Sequence, residues 1–243
     1  MKSKNTITLF ILFILFSSLD ARAQSSIGLA INYGDKLQFT PNYRNLLLNR
    51  KSFSPTLVYS YQKIFDSDFS VMLGGQMGVA GYQLIPEFGD TLSRNVDRYP
   101  FGEYEIFVSR LEMTVGKVFR IQKRQLFVGA GGGMSYYLVF PYSSMGVTIN
   151  DQGSRVKVFD SYIESSEAGV FSGFGKVYIK MNMSKRLDLA FQYSRHWKSI
   201  LHGEFQFYHT RTPASGDIKL VPQGVSLILL CRLGKLDKTV QKN

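Results

Sequence analysis

Apolar and polar residues alternate one by one along most of this chain. Leu187, Leu189, Phe191 and Tyr193 alternate with Asp188, Ala190, Gln192 and Ser194. A period of two belongs to a strand with one apolar face. Leu57, Tyr59 and Tyr61 alternate with Thr56, Val58, Ser60 and Gln62, and Val71, Leu73, Met77 and Val79 with Ser70, Gly74, Gln76 and Gly78. Similar segments recur at about 26–34, 104–119, 125–139, 168–182 and 218–234, which predicts eight strands. Most reach the ~9–11 residues needed to cross a bilayer at a tilt.

The connections alternate in length. Asp66-Ser67-Asp68, Arg120 to Arg124 and Met183 to Arg186 are short, whereas about 35–53, 85–103, 140–167 and 198–217 are long. Short turns on one side and long loops on the other are the mark of an outer-membrane barrel. A lipocalin-like soluble barrel is the competing arrangement. The direction of the apolar face separates the two: inward in a soluble barrel, outward in a membrane one. The less apolar face carries Gln76, Arg110, Glu112, Lys176, Asp188, Gln192 and Arg232. Enclosing these in a dry soluble core would cost several kcal/mol per unpaired ion. In a narrow membrane barrel they can form a lumen polar network, with Arg110, Glu112, Lys176, Asp188 and Arg232 as its charged members. Aromatic girdles are expected from Phe65, Phe69, Phe119 and Phe127 at the turn end, and from Tyr33, Tyr82, Tyr104, Tyr136 and Trp197 at the loop end.

The first 23 residues carry an export pattern. Lys2 and Lys4 precede an apolar run, Leu9 to Phe16, and Ala21-Arg22-Ala23 supplies a small-x-small cleavage site. The expected organisation is a cleaved signal over 1–23, an all-β, eight-stranded antiparallel up-and-down transmembrane barrel over 24–234, and a short basic periplasmic tail over 235–243. Cys231 is the only cysteine, which excludes an intramolecular disulfide and a cysteine-rich zinc site.

The pattern resembles the small outer-membrane β-barrels of Gram-negative bacteria with the eight strands of the OmpA-like transmembrane domain. The "ARAQ" cleavage region, the first strand "IGLAINYG" and the last strand "GVSLILLCRLG" look most like the PorT-like barrels of Bacteroidota. The resemblance covers essentially the whole mature chain and rests on pattern rather than on a diagnostic motif. It implies a location in the outer membrane, among lipids that include lipopolysaccharide. The chain departs from it by running on as "KLDKTVQKN" after the last strand, and by placing Pro222 early in strand eight, where the missing donor marks the rim.

The formal net charge of +11 has a location. With the short turns periplasmic, the turns and tail hold Lys63, Lys117, Arg120, Lys123, Arg124, Lys180, Lys185, Arg186, Lys235, Lys238 and Lys242, against Asp66, Asp68 and Asp237. The long loops are close to neutral. The excess is therefore read as a collar at the inner leaflet. Anionic head groups are its expected partner, a periplasmic protein or peptidoglycan the sharper one, and nucleic acid is set aside.

Candidate chemistry would need a nucleophile–base pair. Ser194 and His196 share a strand face and Glu204 follows in a loop, a set that could perform acyl transfer on lipid A. The alternation turns both residues toward the lumen, away from acyl chains. "RHWKS" also lacks the His-x-Ser spacing of the lipid A deacylases, so a rim histidine beside a girdle tryptophan is the plainer reading. His202 and His209 lie in the same loop without metal-ligand spacing, and neither metal nor cofactor is expected.

"LFVGAGGGMSYY" (126–137) nearly fits a dinucleotide fingerprint, but Met134 occupies the third glycine position and strand formers follow. The barrel reading assigns Leu126, Val128, Ala130, Met134 and Tyr136 to lipid and Gly129, Gly131 and Gly133 to the lumen. The glycines would then leave room for Arg110, Glu112 and Lys176 on the flanking strands.

Eight strands give an interior that side chains nearly fill, so an ion-paired plug is expected rather than an open pore. The long loops hold apolar runs, "NLLLN" (45–49), "YLVFPYSSMGV" (137–147) and "GEFQFYH" (203–209), that would fold over the mouth, extend the strands or meet a partner or apolar ligand. The expected role is a non-enzymatic structural or accessory component of the envelope or of a secretion assembly. A barrel binding or transporting a small apolar solute is the first alternative, and a lipid A hydrolase the second.

Overall fold

The computed structural model describes residues 23–33, 37–40, 47–51, 55–86, 103–149, 152–164, 169–208 and 214–233. Fourteen strands fall within them: β1 (Ala23–Tyr33), β2 (Leu37–Thr40), β3 (Leu47–Lys51), β4 (Pro55–Ile64), β5 (Phe69–Pro86), β6 (Glu103–Ile121), β7 (Arg124–Val139), β8 (Tyr142–Ile149), β9 (Arg155–Glu164), β10 (Val170–Asn182), β11 (Leu187–His196), β12 (Leu201–Phe207), β13 (Ala214–Leu220) and β14 (Gln223–Leu233). The expected signal segment up to residue 22, the tail, and residues 87–102 of the loop predicted at about 85–103 lie outside the described residues.

Eight strands close on themselves. The ring runs β1–β4–β5–β6–β7–β10–β11–β14 and returns to β1, antiparallel throughout. Closure removes every free edge that hydrocarbon could not solvate. The outer face is apolar: Leu29, Leu57, Met77, Leu111, Met113, Met134, Val177, Phe191 and Leu229 all point outward and exposed. Because the side-chain period is two, that choice sends the opposite set inward. Arg110, Glu112, Lys176, Asp188 and Gln192 are accordingly buried within the ring.

The short turns are tight. Asp68 (φ 58°) and Gln122 (φ 53°) take left-handed backbone in the β4–β5 and β6–β7 turns. The Asp68 N–H donates to Phe65 O at 3.0 Å, which closes the first of them.

β6 has 19 residues, which at ~3.3 Å each is about 60 Å of chain. The tilted span of a bilayer needs about half of that. The upper parts of β5, β6 and β7 therefore rise beyond the membrane, and there the long loops form a second sheet. It is antiparallel and five-stranded, in the order β2-β13-β12-β9-β8. Leu201, Phe205 and Phe207 of β12 point to one side and His202, Glu204 and Gln206 to the other. The apolar side packs with Ile163, Phe159, Ile218 and Leu220 against Tyr82, Ile106, Val108, Tyr137 and Val139 at the barrel's mouth.

Several expectations are corrected here. The predicted last strand, 218–234, is two strands. Residues 214–220 belong to the cap sheet, and Pro222, lacking an N–H, stands in the break while its carbonyl accepts from His196 N at 2.9 Å. Phe127 and Tyr82 are not girdle residues, since both are buried on the lumen side. Phe127 stacks near Tyr178, with ring centroids 6.1 Å apart. Phe69, Phe119, Tyr33 and Trp197 do point outward.

Candidate functional site

The lumen alternates in polarity along its length. Inward positions of β10 read Phe174, Lys176, Tyr178 and Lys180, and each belongs to a different stratum. Strand pairing sets what meets what: Glu112 opposes Gly133, which opposes Phe174, while Thr114 opposes Gly131, which opposes Lys176. The two charged side chains reach over the bare glycine backbone of β7, and Lys176 Nζ lies 2.6 Å from Glu112 Oε1. The approach is an ion pair by distance, and among the described residues the buried Glu112 Oε2, Thr114 Oγ1, Ser135 Oγ and Gln76 Oε1 have no hydrogen-bond partner.

Above this pair sits His196, 1% exposed. Its Nε2 lies 3.0 Å from Tyr137 Oη and its Nδ1 3.3 Å from Ser172 Oγ. Arg110 Nη2 donates to the same Tyr137 oxygen at 3.3 Å, and the guanidinium stands 5.8 Å from the Phe174 ring centre. Ser194 is buried one row below on β11, opposite Lys176. Glu204 is on the outer, exposed face of the cap sheet. The structure therefore does not assemble Ser194, His196 and Glu204. Their separation follows from β12, whose alternation turns Phe205 and Phe207 inward and sends Glu204 out. A hydroxyl does meet the imidazole, but it is that of Ser172, and both ring nitrogens are occupied beneath a packed apolar cap.

Toward the turn end lies a second polar group. Asp188, 0% exposed, receives Arg232 Nε at 3.0 Å on both carboxylate oxygens. Lys180 Nζ stands 3.6 Å from the same carboxylate and also donates to Gln62 Oε1. Lys180 therefore faces the lumen and is no part of an external collar. Lys63 is also buried, its Nζ 5.3 Å from the Phe65 ring centre. Between the polar groups, Met72, Val118, Phe127, Tyr178, Ile228 and Leu230 form an apolar cluster.

The glycines of β7 fill a tighter role than leaving space for side chains. A Cβ on Gly131 would stand 1.9 Å from Met113 O, and on Gly133 2.0 Å from Leu111 O. On Gly129 it would stand 2.6 Å from Val115 O. The obstacle is the backbone of β6, so the glycines let two strands coil closely and leave β7 without side chains where the Lys176–Glu112 pair crosses it.

On the cap's outer face Lys157 donates to Asp160, a hydrogen bond that holds the lysine above its ordinary pKa, and its Nζ lies 5.1 Å from the Tyr208 ring centre. Glu204 and Asp217 are directly opposed in register there. Among the described residues, no three His, Cys, Asp or Glu side chains gather as metal ligands.

A closed eight-stranded ring with an apolar outer belt, a polar-and-ionic interior, short turns at one end and a loop-built sheet at the other defines a transmembrane β-barrel of the outer-membrane type. The protein resides in the bacterial outer membrane. No protein-family model matches the chain, and no curated protein sequence does. Among solved structures it is similar to the outer membrane protein OprG from Pseudomonas aeruginosa, over 88% of this chain and 96% of that one, at 8% identity and TM-score 0.45. It is also similar to Ail, the attachment invasion locus protein of Yersinia pestis (87% and 97% covered, 14% identity, TM-score 0.36). A major outer membrane protein from Thermus thermophilus is a third (87% and 99% covered, 10% identity, TM-score 0.41).

Proposed function

We propose that this protein is a non-enzymatic outer-membrane barrel, a structural or accessory component of the envelope or of a secretion assembly, which works by presenting its cap sheet. The observation that carries the reading is the two-sidedness of that sheet. Its inner face is sealed into the mouth, with Phe159, Phe207, Ile218 and Leu220 each 0% exposed. Its outer face displays His202, Glu204, Gln206, Tyr162 and Asp217. A barrel built to pass solute would keep its mouth open, and one built to hydrolyse lipid would expose its nucleophile. The "ARAQ" region and the terminal strand sequences support kinship with the PorT-like barrels of Bacteroidota.

The test is purification from native membranes in mild detergent, with Tyr162→Ala/Glu204→Lys as the comparison. A partner should accompany the wild-type barrel in fixed ratio and be lost from the variant, while reconstituted wild type shows no discrete conductance. Isolation of the barrel alone, or stepwise conductance in planar bilayers, would refute the reading.

A further inference from the structure

Among the described residues, six cations stand exposed at the turn end of the barrel, and they are gathered on one side. Lys117, Arg120, Lys123 and Arg124 belong to the β6–β7 hairpin, and Lys185 and Arg186 to the β10–β11 turn. β7 and β10 are paired neighbours, so the two turns lie side by side. The β4–β5 turn carries Asp66 and Asp68 instead, and Asp68 Oδ1 meets Arg120 at 3.4 Å along the border of the patch. A uniform collar is thus replaced, among the described residues, by a basic sector next to an acidic turn.

The position of Lys117 identifies what the sector faces. It lies in the cross-strand row Phe69–Lys117–Val128, the outward row, two residues from Phe119 and four from Ile121 on the same face. Phe69, Phe119, Val128 and Ile121 are all exposed outward, so the surface around Lys117 is the lipid-facing belt. A lysine there keeps its stem along the apolar surface and carries its ammonium to the interface, where the nearest anions are lipid phosphates. A water-soluble partner would have to displace lipid to reach it. Met183, just past the end of β10, and Leu187, at the start of β11, stand exposed on either side of Lys185 and Arg186, and offer acyl chains a surface under the same head groups.

We propose that this two-hairpin sector is a binding site for the phosphate head groups of anionic phospholipids in the turn-side leaflet, with Lys117 at the belt edge and Arg124, Lys185 and Arg186 around it. The site distinguishes one side of the turn end from the other: anionic head groups gather at the two basic turns, while Asp66 and Asp68 disfavour them at the β4–β5 turn. It is independent of whether the cap sheet has a protein partner.

Native mass spectrometry of the full-length, detergent-solubilised barrel tests it, titrated with phosphatidylglycerol or with phosphatidylcholine of the same acyl chains. Wild type should retain phosphatidylglycerol at least tenfold more strongly. The variant Lys117→Gln/Arg124→Gln/Lys185→Gln/Arg186→Gln should bind the two lipids alike, since each surface cation contributes about fivefold. Arg195→Gln, exposed at the opposite end of β11, should leave the preference intact. Unheated samples that migrate as folded on a denaturing gel establish that the barrel has closed. Should the fourfold variant fail there, Lys117→Gln alone should lower retention by about fivefold. Equal retention of both lipids by wild type, or an undiminished preference in the folded variants, would overturn the proposal. Displacement of bound phosphatidylglycerol by soluble polyglutamate at equal charge would also overturn it, in favour of an acidic protein partner.

Discussion

Lys176 on β10 and Glu112 on β6 stand 2.6 Å apart although a whole strand, β7, runs between their backbones. The pair is closed to solvent, at 0% and 3% side-chain exposure. Breaking one half of such a pair strands the other as a buried ion, which costs about 3–5 kcal/mol. Lys176→Met should therefore lower the stability of the refolded barrel by that amount. The double variant Lys176→Met/Glu112→Leu should recover most of it. Urea unfolding in lipid vesicles, followed by the fluorescence of the single tryptophan, Trp197, gives both values. Equal losses in the single and double variants would contradict the pairing account.

Gly131 should not accept even one methyl group. Its Cβ would meet the Met113 carbonyl at 1.9 Å, a backbone atom that cannot turn aside as a side chain can. Gly131→Ala should reduce the fraction of barrel that closes, seen as a loss of the fast-migrating unheated band on a denaturing gel. Gly175, on the paired strand β10, has nothing within 4 Å of the equivalent position, and Gly175→Ala should fold as wild type does. Normal closure of Gly131→Ala would remove close strand approach as the reason for the glycine run.

The ring was legible in the sequence because a membrane barrel writes its inside and outside on alternate residues. The alternation in β11 alone separates Asp188 and Gln192 from Leu187, Phe191 and Tyr193. The cap sheet was not legible, although its strands alternate as well. A loop that folds against a protein core and a strand that faces lipid carry the same period, so the pattern merges 218–220 with the strand that follows and leaves 214–217 in a loop. The apolar runs "GEFQFYH" and "YLVFPYSSMGV" signal burial, and folding over the mouth is one of the placements they allow, but the period alone does not choose it over longer strands or a partner. Contacts across the lumen are equally hidden. Gln76 Nε2 donates to Gln192 Oε1 at 3.4 Å, 116 residues away, a closeness that comes from ring closure and stagger rather than from any local spacing. For the same reason the basic excess reads as a collar in the sequence, when strand order places its exposed cations, among the described residues, on two adjacent turns.

Removing Asp188 should harm the barrel more than removing Arg232. Asp188 is fully buried and answers two cations, Arg232 and Lys180, whereas Arg232 keeps 22% side-chain exposure at the turn end. Without Arg232, Lys180 at 3.6 Å still faces the carboxylate; without Asp188, Lys180 is left inside with Gln62 as its acceptor. Arg232→Ala should cost roughly half of the about 3–5 kcal/mol expected of Asp188→Ala. Parallel urea titrations would show the ranking, and a reversed order would contradict it.

Gln122 offers a change in the opposite direction. Its φ of 53° is left-handed, a region where a side chain costs roughly 1–2 kcal/mol and glycine does not. Gln122→Gly should stabilise the β6–β7 turn by up to about 1 kcal/mol, after the entropy that glycine loses on folding. The midpoint of urea unfolding should rise accordingly; a fall would mean that Gln122 makes a stabilising contact of its own.

The cap and the ring should come apart in a single experiment. Phe207 is 0% exposed and packs against Phe159, with ring centroids 4.9 Å apart, and against Phe205 at 6.1 Å. Phe207→Ala should remove about 3–5 kcal/mol of core packing, from a cluster whose aromatic pairs with Phe159 and Phe205 lie within the sheet built from loops. The ring keeps its eight ladders, none of which includes β12. The variant should thus retain its heat-shifted migration on a gel while protease cuts the chain between residues 140 and 220 far faster than in wild type. If the cap instead resists protease unchanged, the mouth is not held shut by this cluster. If the ring is lost along with the cap, the two sheets fold as one unit, and the barrel depends on a closure that its own hydrogen bonds do not supply.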